Sequence, residues 1–151
     1  DKTEMEWMRA SASMPIVSKP VCVDGYELLD GGVADSIPVQ KMQELGFDKT
    51  VVVLTQPRDY VKKKNQLMPL AKVSLRRYPA MIDAMEHRHE HYNEELEYIR
   101  EKEERGELFV IRPPKKIEVS KVERDRQRLA AYRMGRETMK EHMRSLERFL
   151  K

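Results

Sequence analysis

The chain has 151 residues, 40% of them hydrophobic and 36% charged, and a formal net charge of +3. That length allows one domain with a moderate core, but so polar a composition confines the core to selected faces. The single cysteine, Cys22, excludes an internal disulfide framework and a multi-cysteine metal site, and points to a reducing, cytoplasmic setting; no apolar run approaches the roughly 20 residues a membrane-spanning helix needs, and no signal-peptide pattern opens the chain.

Residues 3–12 read as the end of a helix, with Met5 and Met8 or Trp7 as apolar contacts, and Pro15 forces the chain out of it. Because the chain starts at Asp1 in what reads as mid-helix, an upstream portion is expected. A loop through Ser18-Lys19-Pro20 leads to a hairpin over residues 21–29: Val21-Cys22-Val23, the turn pair Asp24-Gly25, then Tyr26-Glu27-Leu28-Leu29. Asp-Gly is a strong two-residue turn signal. Cys22, flanked by two valines, is expected to be a small core residue. A short helix runs from Pro38 to Leu45, and Gly46 closes it in a left-handed cap. Thr50-Val51-Val52-Val53-Leu54-Thr55 is apolar on both faces, which predicts a strand buried in a mainly parallel sheet. Residues 1–57 therefore read as the last βαβ-type portion of an α/β domain whose other strands lie upstream.

After Pro57 the pattern changes to long charged helices. Tyr78, Met81 or Ile82, Met85, His89, Tyr92, Leu96 and Ile99 recur every three or four residues, an apolar stripe on a helix ending near Gly106. Leu108–Ile111 reads as a short strand stopped by Pro113-Pro114. A last helix from about Lys121 carries Leu129, Tyr132, Met139, Met143, Leu146 and Leu150 on one side. The two stripes are expected to pack on each other and on the sheet.

Charge divides unevenly: 5 Lys and Arg against 9 Asp and Glu in residues 1–57 (net −4), and 24 against 17 in residues 58–151 (net +7). A basic surface attracts phosphates and anionic headgroups. Here the signs are interspersed as on ordinary solvated helices, so no nucleic-acid partner is expected.

Asp30-Gly31-Gly32-Val33, followed by Asp35-Ser36-Ile37-Pro38, is the segment with catalytic potential. An aspartate before two glycines is most often a turn. This one follows a strand, has two glycines that let backbone pack close behind the carboxylate, and precedes a proline that opens a helix. Asp35 is the rival carboxylate, with the expected role of bonding local backbone N–H groups before that helix.

Taken together, Arg9-Ala10-Ser11-Ala12-Ser13-Met14-Pro15, the hairpin, Asp30-Gly31-Gly32-Val33 and Asp35-Ser36-Ile37-Pro38-Val39 resemble the C-terminal third of a patatin-like phospholipase domain, over roughly residues 3–57. The rest, with Tyr78-Pro79, Tyr92-Asn93 and the stretch from Gly106 to Pro113, is similar to the helical extension that follows the catalytic domain in a bacterial subgroup. The resemblance implies an α/β fold: the C-terminal portion of a three-layer domain (hairpin, short helix, buried strand) over residues 1–57, then a mainly helical extension over residues 58–151. It also implies a Ser-Asp dyad acting on lipid or carboxylic esters, with Asp30 as the aspartate and Gly31 and Gly32 supporting it. In such enzymes the carboxylate takes the serine proton during attack and returns it to the departing alcohol. No histidine, cofactor or metal is required, and His87, His89, His91 and His142 all lie outside the matching region.

None of the six glycines has a serine two positions away, so there is no Gly-X-Ser-X-Gly elbow, and the glycine-rich oxyanion loop is absent as well. The chain alone is therefore expected to be inactive and to need an upstream half carrying the nucleophile. The competing reading is a non-catalytic helical module that binds a protein or an anionic surface, with Asp-Gly-Gly as a turn. Ser11 and Ser13, lacking elbow glycines, read as structural. His87 and His91 share a helix face, but His89 falls on the apolar stripe, so the three cannot converge on one ion and a solvated helix with one partly buried histidine is expected. Lys62-Lys63-Lys64 and Arg76-Arg77 are candidates for headgroup contact, which would place the protein peripherally at a membrane.

Overall fold

The computed structural model describes residues 2–117 and 124–151. The architecture is mixed α/β, with two small sheets and a mainly helical C-terminal part. The expected start of the last helix near Lys121 falls outside the described residues. The chain divides into two compact units that interleave in sequence, one made of Asp1–Pro38 and Lys62–Glu95, the other of Val39–Val61 and Leu96–Lys151.

In the first unit, α1 (Lys2–Ser11) packs on β1 (Val21–Val23), which pairs antiparallel with β2 (Tyr26–Leu28). Asp24 and Gly25 have φ of 49° and 82°, so both central residues of the turn are left-handed. That geometry matches the twist of a tight hairpin, which is why Asp-Gly marks it. Val21 and Val23 pack with Ala10 and Leu28. Cys22 corrects expectation: it is exposed, because successive side chains on a strand alternate and only the valine face is covered. Met5, Trp7 and Met8 depart from expectation too. They are exposed, Met5 by 67% and Met8 by 70%, since Ala10 is the residue α1 sets against the hairpin.

The second core of this unit joins Val33 to α3 (Met68–Ser74) and the first turns of α4 (Pro79–Glu104). Helix α3 escaped the sequence reading, although Pro69 in its first turn and the Asn65 side chain accepting from the Leu67 N–H (2.9 Å) are local start signals. Met68, Ala71, Leu75 and Met85 are buried there, with Tyr78, Met81 and Ile82 packed against them. The α4 stripe thus spends its first part on α3 and Val33. The helix ends as expected. Gly106, at φ 74°, donates to the Glu103 carbonyl, and Glu107 to that of Lys102, the paired bonds of a glycine-capped C-terminus.

In the second unit, α2 (Val39–Glu44) packs on β3 (Thr50–Val53), and Gly46 closes the helix at φ 83°. Strand β3 pairs in parallel with β4 (Leu108–Ile111), Thr50 opposite Leu108 and Val53 opposite Ile111. The parallel pairing agrees with the apolar run, but burial on both faces does not. Thr50 and Val52 are buried while Val53 is 70% exposed, because in this two-stranded sheet only one face is covered. Helix α5 (Arg124–Leu150) packs on β4, where Phe149 lies 5.6 Å from the Phe109 ring and His142 meets that ring edge-on at 6.2 Å. The expected α5 stripe is therefore rotated. Leu129, Tyr132, Met143 and Leu150 are exposed, whereas Thr138 is buried and Met139, His142, Leu146 and Phe149 are half-buried, because the Phe109 ring selects the face carrying His142 and Phe149.

Candidate functional site

Asp30 lies two residues beyond β2, half-buried, at the start of a single 3-10 turn spanning Gly31–Val33. Its backbone is pinned on both sides: the N–H donates to the Ser13 carbonyl (2.8 Å), and the carbonyl accepts from the Val33 N–H (3.2 Å). Its side chain is oriented as well, with Oδ1 accepting from the Gly32 N–H at 2.8 Å. Ser13 is buried and its hydroxyl donates to the Arg9 carbonyl, the structural role expected of it. Its carbonyl is what joins the end of α1 to the Asp-Gly-Gly loop.

The two glycines are not equivalent. A Cβ on Gly32 would stand 3.1 Å from Asp30 Oδ1 and 3.8 Å from Arg88 Nη2, whereas one on Gly31 would meet open space. Close backbone approach behind the carboxylate is therefore a property of Gly32. Its carbonyl oxygen takes two further donors, Arg88 Nε at 2.8 Å and Ser36 Oγ at 2.7 Å.

Asp35 corrects expectation. The local N–H groups go instead to Glu95 of α4, which accepts from the Ser36 N–H at 3.2 Å and from the Ile37 backbone. The Asp35 carboxyl lies alongside Glu95, whose Oε2 is buried with no donor among the described residues. Two acids so placed are satisfied by a proton held on one of them. Glu95 is accordingly pushed up to about 7, first by desolvation and then by its hydrogen bond with Asp35, while the bonds from Ser36 and Ile37 pull the other way.

Lys62 sits in the same surroundings. Asn93 brackets its backbone, accepting from its N–H at 2.8 Å and donating to its carbonyl at 3.1 Å, and its ammonium lies 4.4 Å from the Tyr92 ring centre. Desolvation lowers the Lys62 pKa, the nearby Arg88 charge lowers it further, and Glu95 opposes both. Lys64 pairs with Glu86, while Arg76 and Arg77 are exposed. His89 is partly buried and His87 and His91 are exposed, as their places on the α4 stripe predicted. Among the described residues, no group of three or more His, Cys, Asp or Glu side chains is placed to hold a metal ion.

Arg88 and Glu95 are the residues that sequence reasoning missed. Both lie on a helix whose charges read as solvated, and Arg88 stands between the two histidines that drew attention. Their spacing of two helical turns, on one face, was the available signal.

Residues 4–42 match the patatin-like phospholipase family. Residues 78–151 match a domain of unknown function, DUF6363, over the interval that holds α4, β4 and α5. The chain is also similar to the uncharacterized protein YjjU of Escherichia coli (strain K12), at 28% identity over 123 residues, which cover 76% of this chain and 34% of that protein. It thus spans about a third of that relative's length. No solved structure matches it. No helix among the described residues is long and apolar enough to cross a membrane.

Proposed function

We propose that the chain is the aspartate-bearing part of a patatin-like serine acyl hydrolase, in which Asp30 is the base of a Ser-Asp dyad acting on lipid or small carboxylic esters. The observation that carries this reading is the fixing of the Asp30 carboxylate by the Gly32 N–H at 2.8 Å, on a loop whose backbone is itself pinned to Ser13. A general base must be held in place, because misplacement of about 1 Å costs on the order of 100-fold in rate. The patatin-like match over residues 4–42 supports the reaction class.

The nucleophilic serine and the oxyanion donors come from an upstream half of the same protein. Exposed apolar side chains on α1, such as Met5 and Met8, suit coverage by that half. In attack, the serine oxygen bonds to the acyl carbon as its proton passes to Asp30; the ester C–O bond breaks and the alcohol leaves with that proton. Water then repeats the sequence on the acyl-enzyme, with Asp30 first as base and then as acid, and releases the carboxylic acid. The protein works in the cytoplasm, with peripheral membrane contact through exposed basic side chains such as Arg76 and Arg77.

One observation favours the competing reading of a non-catalytic helical module: Asp30 Oδ1 caps the 3-10 turn, as a purely structural aspartate would. Asp30→Asn separates the two, since asparagine still offers the capping oxygen but no base. In the full-length gene product we expect ester hydrolysis to fall about 1,000-fold, within the range general-base catalysis contributes, with little change in unfolding temperature. A fluorophosphonate probe should label one serine outside this chain. Full activity in Asp30→Asn would refute the dyad, and absence of label in an intact gene product would favour the module.

A further inference from the structure

Helix α4 reaches the Asp-Gly-Gly loop at two places on one face. Arg88 Nε donates to the Gly32 carbonyl at 2.8 Å, and two turns along, Glu95 Oε1 accepts from the Ser36 N–H at 3.2 Å. The circuit closes through the loop itself, where Ser36 Oγ donates to the same Gly32 carbonyl at 2.7 Å. Gly32 is thus gripped on both sides: its carbonyl by Arg88 and Ser36, its N–H by the Asp30 carboxylate. A third rung, from Tyr78 Oη to Glu27 Oε1 at 3.1 Å, ties β2 to the start of the same helix.

We propose that Arg88 and Glu95 are positioning residues for Asp30: α4 braces the Asp-Gly-Gly loop through Gly32 and Ser36, so that the segment following the patatin-like stretch sets the aim of the carboxylate. This rests on the dyad reading above. The argument is mechanical. The Gly32 N–H orients Asp30 Oδ1, so any rotation of residue 32 swings that donor away from it. Two glycines in sequence rotate more easily than other residues, and the backbone bonds of the turn are made to the Asp30 and Gly31 carbonyls, so the Gly32 carbonyl is the point at which a side chain can add restraint. Arg88 is suited to the task, since a guanidinium stays charged and presents donors in a rigid fork, and a charge-assisted bond to a carbonyl is stronger than a neutral one. Side-chain packing does not wedge either glycine in place, since a Cβ on Gly31 would meet nothing within 4 Å and one on Gly32 would meet only Asp30 Oδ1 and Arg88 Nη2.

The test has two independent readouts. In the 151-residue chain, amide hydrogen exchange at Gly32 is followed by NMR, with the Val110 amide of β4 as internal reference. Arg88→Met should speed exchange at Gly32 about tenfold and leave Val110 unchanged, the effect of losing roughly 1.4 kcal/mol of local restraint. Arg88→Lys, which keeps a charged donor, should recover most of the protection. In the full-length gene product, Arg88→Met should lower kcat about tenfold with KM unchanged, and Arg88→Lys should restore most of it. Unchanged Gly32 exchange in Arg88→Met would overturn the brace, and so would faster exchange with unaltered kcat, which would make Arg88 structural only. If Arg88→Met simply fails to fold, Glu95→Gln and Glu95→Ala decide, since glutamine keeps the acceptor for Ser36 and alanine removes it. Equal exchange at Gly32 in both would overturn the proposal. Hydrolysis that survives Asp30→Asn would refute the dyad whatever the Gly32 exchange shows, so the two failures are told apart.

Discussion

Among the described residues each unit of this protein contains one two-stranded sheet, and the two sheets are built in opposite ways. In the first, β1 and β2 are joined by a two-residue turn and pair antiparallel. In the second, β3 and β4 pair in parallel, and α3 and α4 lie between them in sequence. A hairpin closes a short loop at little entropic cost and is specified by its turn, whereas a parallel pair has no connection of its own and depends on burial elsewhere. The first arrangement leaves a loop to be used, and Asp30 stands on it. In the second, α5 packs on β4 through the aromatic contact of Phe109 with Phe149, and Ile99, 1% exposed, is the most deeply buried large side chain of that unit. The site lies in the unit whose sheet is local, and the restraint on it comes from long-range side chains.

This contrast predicts where each unit is vulnerable. Ile99→Ala removes a fully buried side chain from the second unit and should cost about 3 kcal/mol, read as a lower midpoint in urea unfolding. A loss no larger than that of any loop substitution in the first unit would break the comparison.

The first unit should instead be sensitive at one glycine. Gly32→Ala places a methyl 3.1 Å from Asp30 Oδ1 and should lower hydrolysis in the full-length protein about tenfold, at a stability cost of about 1 kcal/mol. Gly31→Ala meets open space and should stay within about 0.5 kcal/mol of the parent. Similar activity for the two variants would remove the case for close approach at Gly32.

The smallest expected effect is a pH dependence. Glu95 is raised from 4.5 to about 7 in the folded chain, so the folded state holds a proton that the unfolded state has released between those values. Its favourable contribution is therefore full below about pH 4.5 and is lost as the pH rises through about 7. Because Glu95 is only partly buried, solvent screening reduces the amount to on the order of 1 kcal/mol. Unfolding midpoints compared at pH 5 and pH 8 should show it, and Glu95→Gln should remove the difference. A difference that persists in Glu95→Gln would assign the titration to another group.

Local chemistry made much of the fold legible. Asp24-Gly25 announced the hairpin, Gly46 and Gly106 the two helix ends, and the stripe from Tyr78 to Ile99 the helix α4. The expectations about the fold that failed concerned which face is covered. Cys22 looked like core because it lies between valines, and β3 looked two-sided because its residues are apolar throughout, yet each strand has one covered face. Helix α5 carries apolar residues around more than one side, and its packing on β4, with His142 and Phe149 against the Phe109 ring, decides which side is covered.

The site divides in the same way. The sequence by itself determined the carboxylate on its glycine loop, since a strand exit followed by Asp-Gly-Gly and a proline-led helix is a local pattern set by backbone sterics. Only the tertiary structure decided that Gly32 rather than Gly31 is the close neighbour, that Glu95 takes the N–H groups expected to go to Asp35, and that Arg88 grips the loop. Conformational preferences act over a few residues and are written in order along the chain. A charged side chain on a helix has the same local signature whether it faces water or a carbonyl 56 positions away, so its partner exists only once the chain has folded.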